Sequence, residues 1–283
     1  MQIDQNIEQT EYKQMLKAYH KLSDRHVLTL ETDLSYQDKC KIFHYADLER
    51  KAGNELVSIM KNNYEQLIRT KKYRKLKVLY GKYANSNDKK NCKIIATQLN
   101  DLQKQYNVTW DYCRTSMIPI GKKYGLGSIF ALTKAEDIWR AVEKCLYADG
   151  NTIHFSKRED LPNIRAKQSK CGIVIGSIND KLQFKFNELK FGVLIKDRFG
   201  QDEVDAILDY LSQPDIKDKI AVDTLQEDGI CISTYRPCYT TLVCKKIRGK
   251  LLVYVHITIE GLAKPKYDRF GNRKHRLGKG FVG

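Results

Sequence analysis

The side chains most able to move a proton near neutral pH are histidines, and here they are scattered. His44 falls on a helical pattern, His154 and His256 in strand-like runs, and His275 in a basic tail. None has a partner at catalytic spacing, so they read as structural or incidental, and no catalytic residue is assigned. The eight cysteines (Cys40, Cys92, Cys113, Cys145, Cys171, Cys231, Cys238, Cys244) include no C-x-x-C pair. Cys231, Cys238 and Cys244, with spacings of seven and six, fit no usual zinc-ligand pattern. The thiols therefore read as reduced, partly buried small hydrophobes, with no metal ligand and no cofactor expected.

The chemistry that recurs is cationic. Fifty Lys and Arg oppose 34 Asp and Glu, a net charge of +16 with a pI near 9.3, which is the profile expected of a protein with a polyanion partner. Nucleic acid is the leading candidate; a soluble basic protein without such a partner is the alternative. Four clusters carry the charge. Lys71, Lys72, Arg74, Lys75 and Lys77 could track a nucleic-acid backbone while Tyr73 or Tyr80 stacks on an unpaired base; otherwise Tyr73, Leu76 and Tyr80 pack inward beneath a solvated face. Arg165, Lys167 and Lys170 follow a strand-like segment and read as RNA contacts or as ordinary surface charge. Lys245, Lys246, Arg248 and Lys250 surround a hairpin turn, a good place for phosphate contacts. Lys266, Arg269, Arg273, Lys274 and Arg276 crowd a tail whose acid is Asp268, readable as a phosphate contact or as a linker between domains. Trp110 and Trp139, among apolar neighbours, read as core anchors.

The elements that must position these clusters change character along the chain. Residues 1–25 give an amphipathic helical extension, and His26 to Thr32 a strand followed by an N-cap at Asp33 or Ser35. Residues 35–149 form a helical block. A long helix covers about 36–67 with a kink or break at Gly53, a basic helix runs from 71 to a stop at Gly81, and a third spans 93–105. A fourth runs over 108–118 to Pro119, and a capping box of Thr133 and Glu136 opens a fifth. After the turn signal Asp149-Gly150-Asn151, short β-branched runs predict strands at 152–155, 172–178, 181–186, 191–195, 229–235, 240–247 and 251–260, interrupted by a helix over 202–211. With one strand before the helices and the rest after, the expected fold is α+β: a small antiparallel β-barrel over 26–34 and 150–262 with an inserted helical lobe and an insertion at about 201–228. Residues 1–25 lack an apolar signal core, and no run of about 18 apolar residues occurs, so a cytoplasmic protein with no membrane partner is expected. The last residues, Gly278-Lys279-Gly280-Phe281-Val282-Gly283, read as the opening of a strand, so 263–283 is expected to be a basic linker and the start of a domain belonging to a longer protein.

The run R-G-K-x-x-V-Y-V-x-I-T-I-E-G (248–261), a basic linker and then L-G-K-G-x-V-G (277–283) resembles the barrel-to-nuclease junction of TnpB-type transposon-encoded proteins, relatives of the type V CRISPR effectors. The strand 26–32 leading into a helix, the segment from Ala131 to Gly150, His154-Phe155 and Leu161 to Gln168 are similar to that family in the same order, so the resemblance covers about residues 26–283. It implies an oligonucleotide-binding-like wedge barrel and a helical recognition lobe that hold a structured guide RNA and help recognise target double-stranded DNA, with a RuvC-type nuclease domain to follow. It also implies that the first metal-binding Asp of that nuclease would lie beyond Gly283, so divalent metal belongs to the missing domain and this chain is expected not to be an enzyme on its own. The helix at 202–211 and the residues through Asp228 depart from a minimal wedge barrel. The alternatives are a nuclease-free DNA-binding regulator of the same family, a fragment of an active RNA-guided endonuclease and, further off, a translation-type protein whose barrel binds ribosomal RNA.

Overall fold

Local capping sets the helix boundaries, and the boundaries place the lobe. A computed structural model describes residues 24–148, 150–159, 161, 163–168, 170–196, 198–212, 223–226, 229–232 and 235–261. Strand β1 (Asp24–Thr32) is followed by α1 (Tyr36–Arg69), whose first turn is closed by the Ser35 hydroxyl accepting from the Asp38 amide at 3.1 Å. The helix runs through Gly53 without a break. A Cβ there would sit 3.1 Å from the Lys134 side chain, so the glycine makes room for a neighbouring helix rather than a kink. Thr70 serves two helices at once: its hydroxyl donates to the Leu67 carbonyl at 2.8 Å and accepts from the Tyr73 amide at 3.2 Å, ending α1 and opening α2 (Lys71–Asn85). Gly81 lies inside α2, since one exposed glycine costs a helix only about 1 kcal/mol.

Helix α3 (Lys89–Gln105) is capped by Asp88 and α4 (Trp110–Lys123) by Thr109. Pro119 sits within α4, where it forgoes one intrahelical bond without ending the helix. Helix α5 (Ser128–Tyr147) begins well before the expected capping box. Thr133 is buried mid-helix, and its hydroxyl lies 3.2 Å from the Arg165 carbonyl, tying α5 to the sheet instead of capping anything. Helices α4 and α5 pack on α1, and α2 packs on α3 as a hairpin.

The remaining strands are β2 (Ile164–Arg165), β3 (Ile173–Ile178), β4 (Lys181–Phe186), β5 (Leu189–Phe191), β6 (Val193–Leu194), β7 (Asp223–Gln226), β8 (Gly229–Ile232), β9 (Arg236–Ile247) and β10 (Lys250–Gly261), with α6 (Arg198–Ser212) between β6 and β7. All pairings among these strands are antiparallel. A five-stranded sheet has the order β2-β9-β10-β1-β6, so the strand before the helices pairs directly with the last one, from Asp24 opposite Gly261 to Glu31 opposite Tyr254. Strands β3-β4-β5 form a second sheet and β7-β8 a third.

The fold is therefore α+β with antiparallel sheets, and among the described residues the strands do not close into a barrel. The edge strands β2 and β6 are two residues long, too short to bridge from one sheet to the next. The expected strand over 191–195 is split: Phe191 belongs to the three-stranded sheet and Val193 to the five-stranded one. Gly192 turns this corner against Asp33, whose carboxylate accepts from the Gly192 amide at 2.8 Å. Residues 152–155, expected as a strand, join none of the described sheets. The Asn54 side chain there takes the place of a neighbouring strand, donating to the Ser156 carbonyl at 3.0 Å and accepting from its amide at 2.8 Å. Edge-to-face contacts among Tyr45, Phe130 and Phe186, with ring centroids 5.0–5.6 Å apart, join α1, α5 and β4 into one core. Val204 and Ile207 bury the inner face of α6 against the sheets.

Candidate nucleic-acid interface

Alternation along β9 and β10 sorts their side chains onto two faces. Val253, Val255, Ile257 and Ile259 are fully buried, and the register puts Leu242 opposite Val255 and Leu28 opposite Ile257 on that same inner face. The outer face is of different chemistry. It carries Tyr239, Thr241 and Lys245 from β9, Tyr254, His256 and Thr258 from β10, Val27 and Thr29 from β1, and Arg165 from β2, which lies opposite Thr241. The face is open at β1, where Val27 is 54% exposed, whereas Thr241 and Thr258 on it are buried. The Lys245 ammonium lies 5.5 Å from the centre of the Tyr254 ring, a cation–π contact. Burial, with Lys245 nearby, lowers the His256 pKa below the ordinary imidazole value, so the ring is neutral at pH 7.

Helix α5 walls one side of this face. Lys134, Asp137 and Arg140 on it and Tyr239, Thr241, His256 and Thr258 on the sheet, with Asn163 and Arg165 at the sheet edge, line an open cleft of about 450 Å³. The wall is a charge network. Arg165 pairs with Asp137 at 2.9 Å and Glu136 at 3.7 Å, Lys167 with Glu136 at 2.6 Å, and Arg140 with Asp137 at 3.6 Å. Behind it Lys134 reaches the buried Glu49 at 3.2 Å. Desolvation pushes the Glu49 carboxyl pKa up against the pull of Lys134, and its second oxygen has no hydrogen-bond partner among the described residues. Farther along the sheet, Glu260 is buried between Arg236 and Arg25, so those two cations serve packing.

At the other end of the strands, β9 and β10 meet in a two-residue turn, with Ile247 opposite Lys250 and both central residues at positive φ: Arg248 at 48° and Gly249 at 80°. This is the primed turn whose twist matches a hairpin. Lys246, Arg248 and Lys250 are exposed there and form no ion pair among the described residues.

The other sequence-nominated residues divide. Lys71, Lys72, Arg74 and Lys75 are exposed on α2, and the α2–α3 hairpin has only Asp88 and Asp101 as acids. Tyr73 is 5% exposed and packs inward with Leu76, so it presents no ring to a base. Lys77 donates to the Leu146 carbonyl at 2.6 Å, closing the end of α5. Arg165 and Lys167 are held by the carboxylates of α5 and are not free charges, whereas Lys170 is exposed. Lys266, Arg269, Arg273, Lys274 and Arg276 lie outside the described residues, as do the extension 1–23 and the linker 263–283. Among the described residues no group of three His, Cys, Asp or Glu is placed to hold a metal ion. Cys238 and Cys244 lie six residues apart on one strand, roughly 20 Å, too far to share a zinc. No helix among the described residues is long and apolar enough to cross a membrane.

Tyr239, Thr241, Tyr254, Thr258, Lys134 and Arg140 were not nominated by the sequence, and His256 was read as incidental. The signal that finds three of these seven is the apolar alternation of β10, which sends Tyr254, His256 and Thr258 to the face opposite Val253, Val255 and Ile257. No family model matches the chain, and no curated protein matches it.

Proposed function

We propose that this chain binds nucleic acid, as the guide-RNA-binding and target-DNA-recognising half of a TnpB-like, transposon-associated RNA-guided system acting in the cytoplasm, and that it cuts no strand on its own. The observation that carries this reading is the β9–β10 turn, where Lys246, Arg248 and Lys250 have no carboxylate partner among the described residues, at the end of a sheet face bearing Tyr254, His256 and Tyr239. Unpaired cations on a rigid hairpin meet phosphates without first breaking an ion pair, and neighbouring rings offer stacking surfaces for bases. The acid-poor α2–α3 hairpin adds a second positive surface on the helical lobe. In RNA-guided systems the protein reads backbone shape and a short flanking DNA element, while base pairing reads sequence. The oligonucleotide-binding-like barrel belongs to the same proposal: the switch from one sheet to the other at Gly192 is the kind of corner by which open sheets turn toward closure.

Counterion release makes the affinity of such a protein fall steeply with salt. Filter binding of the full chain to a structured RNA, titrated over about 50–200 mM salt, is expected to give log K falling linearly with log salt, with a slope of several units. A flat response, or no binding to any structured RNA, overturns the reading. Incubation of the same complex with labelled target DNA and magnesium or manganese is expected to leave the DNA intact; metal-dependent cleavage would reassign the chain as a nuclease.

A further inference from the structure

We infer that the cleft between α5 and the outer sheet face receives a single unpaired nucleobase of the bound strand; this rests on the nucleic-acid reading above. At about 450 Å³ the cleft is open to solvent and of a size that takes a small organic group rather than a duplex. Its sheet side presents two flat rings from adjacent strands: Tyr239 lies opposite Thr258 and His256 opposite Thr241, so the rings are diagonal neighbours with a threonine hydroxyl beside each. These rings offer the stacking face that every base can use, and the hydroxyls both donate and accept.

The α5 side distinguishes a base from a phosphate. Arg165 and Asp137, 2.9 Å apart, set hydrogen-bond donors beside an acceptor, which suits the mixed edge of a base. Each cation of the lining is already held by a carboxylate, Arg165 and Arg140 by Asp137 and Lys134 by Glu49, so a phosphate placed there would have to compete with an ion pair. The unpaired cations lie instead at the hairpin turn, about 20 Å away along β10 from His256 to Lys250. A strand running along the sheet therefore keeps its phosphates toward the turn and turns one base inward at α5. Lowering of the His256 pKa by burial agrees with a neutral ring used for stacking.

The test compares a hairpin bearing a single-nucleotide bulge with the fully paired hairpin, each made as RNA and as DNA, by fluorescence anisotropy with the full chain at fixed salt. The bulged form is expected to bind roughly 5- to 100-fold more tightly, the range that base–aromatic stacking supplies. Tyr239→Ala is expected to bring the ratio of the two affinities close to one, Tyr239→Phe to preserve it and His256→Gln to reduce it, with urea midpoints checking that each variant folds. The strand type that shows the preference identifies the source of the base. Equal binding of bulged and paired hairpins in both RNA and DNA form overturns the inference while leaving nucleic-acid binding intact. So does a preference that survives both Tyr239→Ala and His256→Gln. If neither hairpin binds, the parent reading fails with it.

Discussion

Replacing Arg248 by Asn separates stability from binding at one residue. Arg248 has φ of 48°, a left-handed conformation that costs an ordinary L-residue roughly 1–2 kcal/mol and that Asn adopts more readily. With Gly249 following at 80°, the substitution would leave an Asn-Gly turn, the pair most favoured in a two-residue hairpin loop. Arg248→Asn is therefore expected to stabilise the fold by up to about 1 kcal/mol, which raises the melting temperature by about 2–4 °C in a chain of this size. It also removes one exposed cation that no carboxylate holds. Each phosphate contact contributes about 0.9 to the salt slope on duplex and about 0.7 on a single strand, so near 0.1 M salt one lost contact weakens binding roughly five- to eightfold. The assays are scanning fluorimetry of the free protein and anisotropy against a structured RNA over a salt series, with Arg248→Lys as the control that keeps the charge. A lower melting temperature would refute the primed-turn argument. Unchanged affinity and slope would refute the phosphate contact.

Gly81 lies in the exposed middle of α2 with open space where a Cβ would go, so Gly81→Ala is expected to raise stability by about 1 kcal/mol in urea melts; a loss would mean that the helix does not pass through it. Burial pushes the Cys113 and Cys244 thiols up to about 12, against an ordinary value near 8.5, so at pH 8 their thiolate fraction is lower by roughly a thousandfold or more. Iodoacetamide treatment of the native protein followed by peptide mapping should leave both unlabelled, and rapid labelling of either would contradict its packing. For His256 the folded pKa lies below the unfolded one, so the unfolded chain binds more protons in that window, and stability present above the ordinary imidazole pKa is lost as pH falls through the window. The urea midpoint of the parent chain should thus drop more between pH 7 and pH 5 than that of His256→Gln, and identical drops would place His256 in ordinary solvent.

Much of the fold is legible because it follows from local rules. Lys181 to Phe186 alternates cleanly and is a strand with those bounds, and the β-branched runs on either side of Arg248-Gly249 form the expected hairpin. The failures occur where a tertiary partner outweighs a local preference. Thr133 and Glu136 have the spacing of a capping box, but Ile129, Phe130 and Ala131 continue the apolar stripe upstream, and burying Phe130 against Tyr45 and Phe186 favours a longer helix over the cap. Thr152 to Phe155 has the composition of a strand, yet the adjoining Ser156 is held by the Asn54 side chain, about a hundred residues earlier, and the segment meets no ladder among the described residues. Phe191 to Ile195 reads as one strand because β-branching and aromaticity say nothing about which sheet each residue joins.

The site was less legible than the fold because charge can be counted in a sequence and pairing cannot. Arg165 and Lys167 look like free cations until α5 brings Glu136 and Asp137, about thirty residues away in the chain, to within hydrogen-bond distance. The sheet face has a different obstacle. On β10 the apolar residues alternate strictly, so the outward direction of Tyr254, His256 and Thr258 follows from the sequence alone. On β9 the run from Tyr239 to Cys244 has no alternation, and the face of Tyr239 and Thr241 is fixed only by register with β10. That register depends in turn on the loop between them having two residues, since a slip by one would put Thr240 and Leu242 outside and bury Tyr239. The turn that exposes Arg248 thus also decides which side chains face the cleft, although turn and cleft lie at opposite ends of the hairpin. A residue inserted beside Gly249 should therefore disturb the bulge preference at Tyr239 as well as phosphate binding at the tip, whereas Arg248→Asn, which keeps the two-residue loop, should affect only the tip.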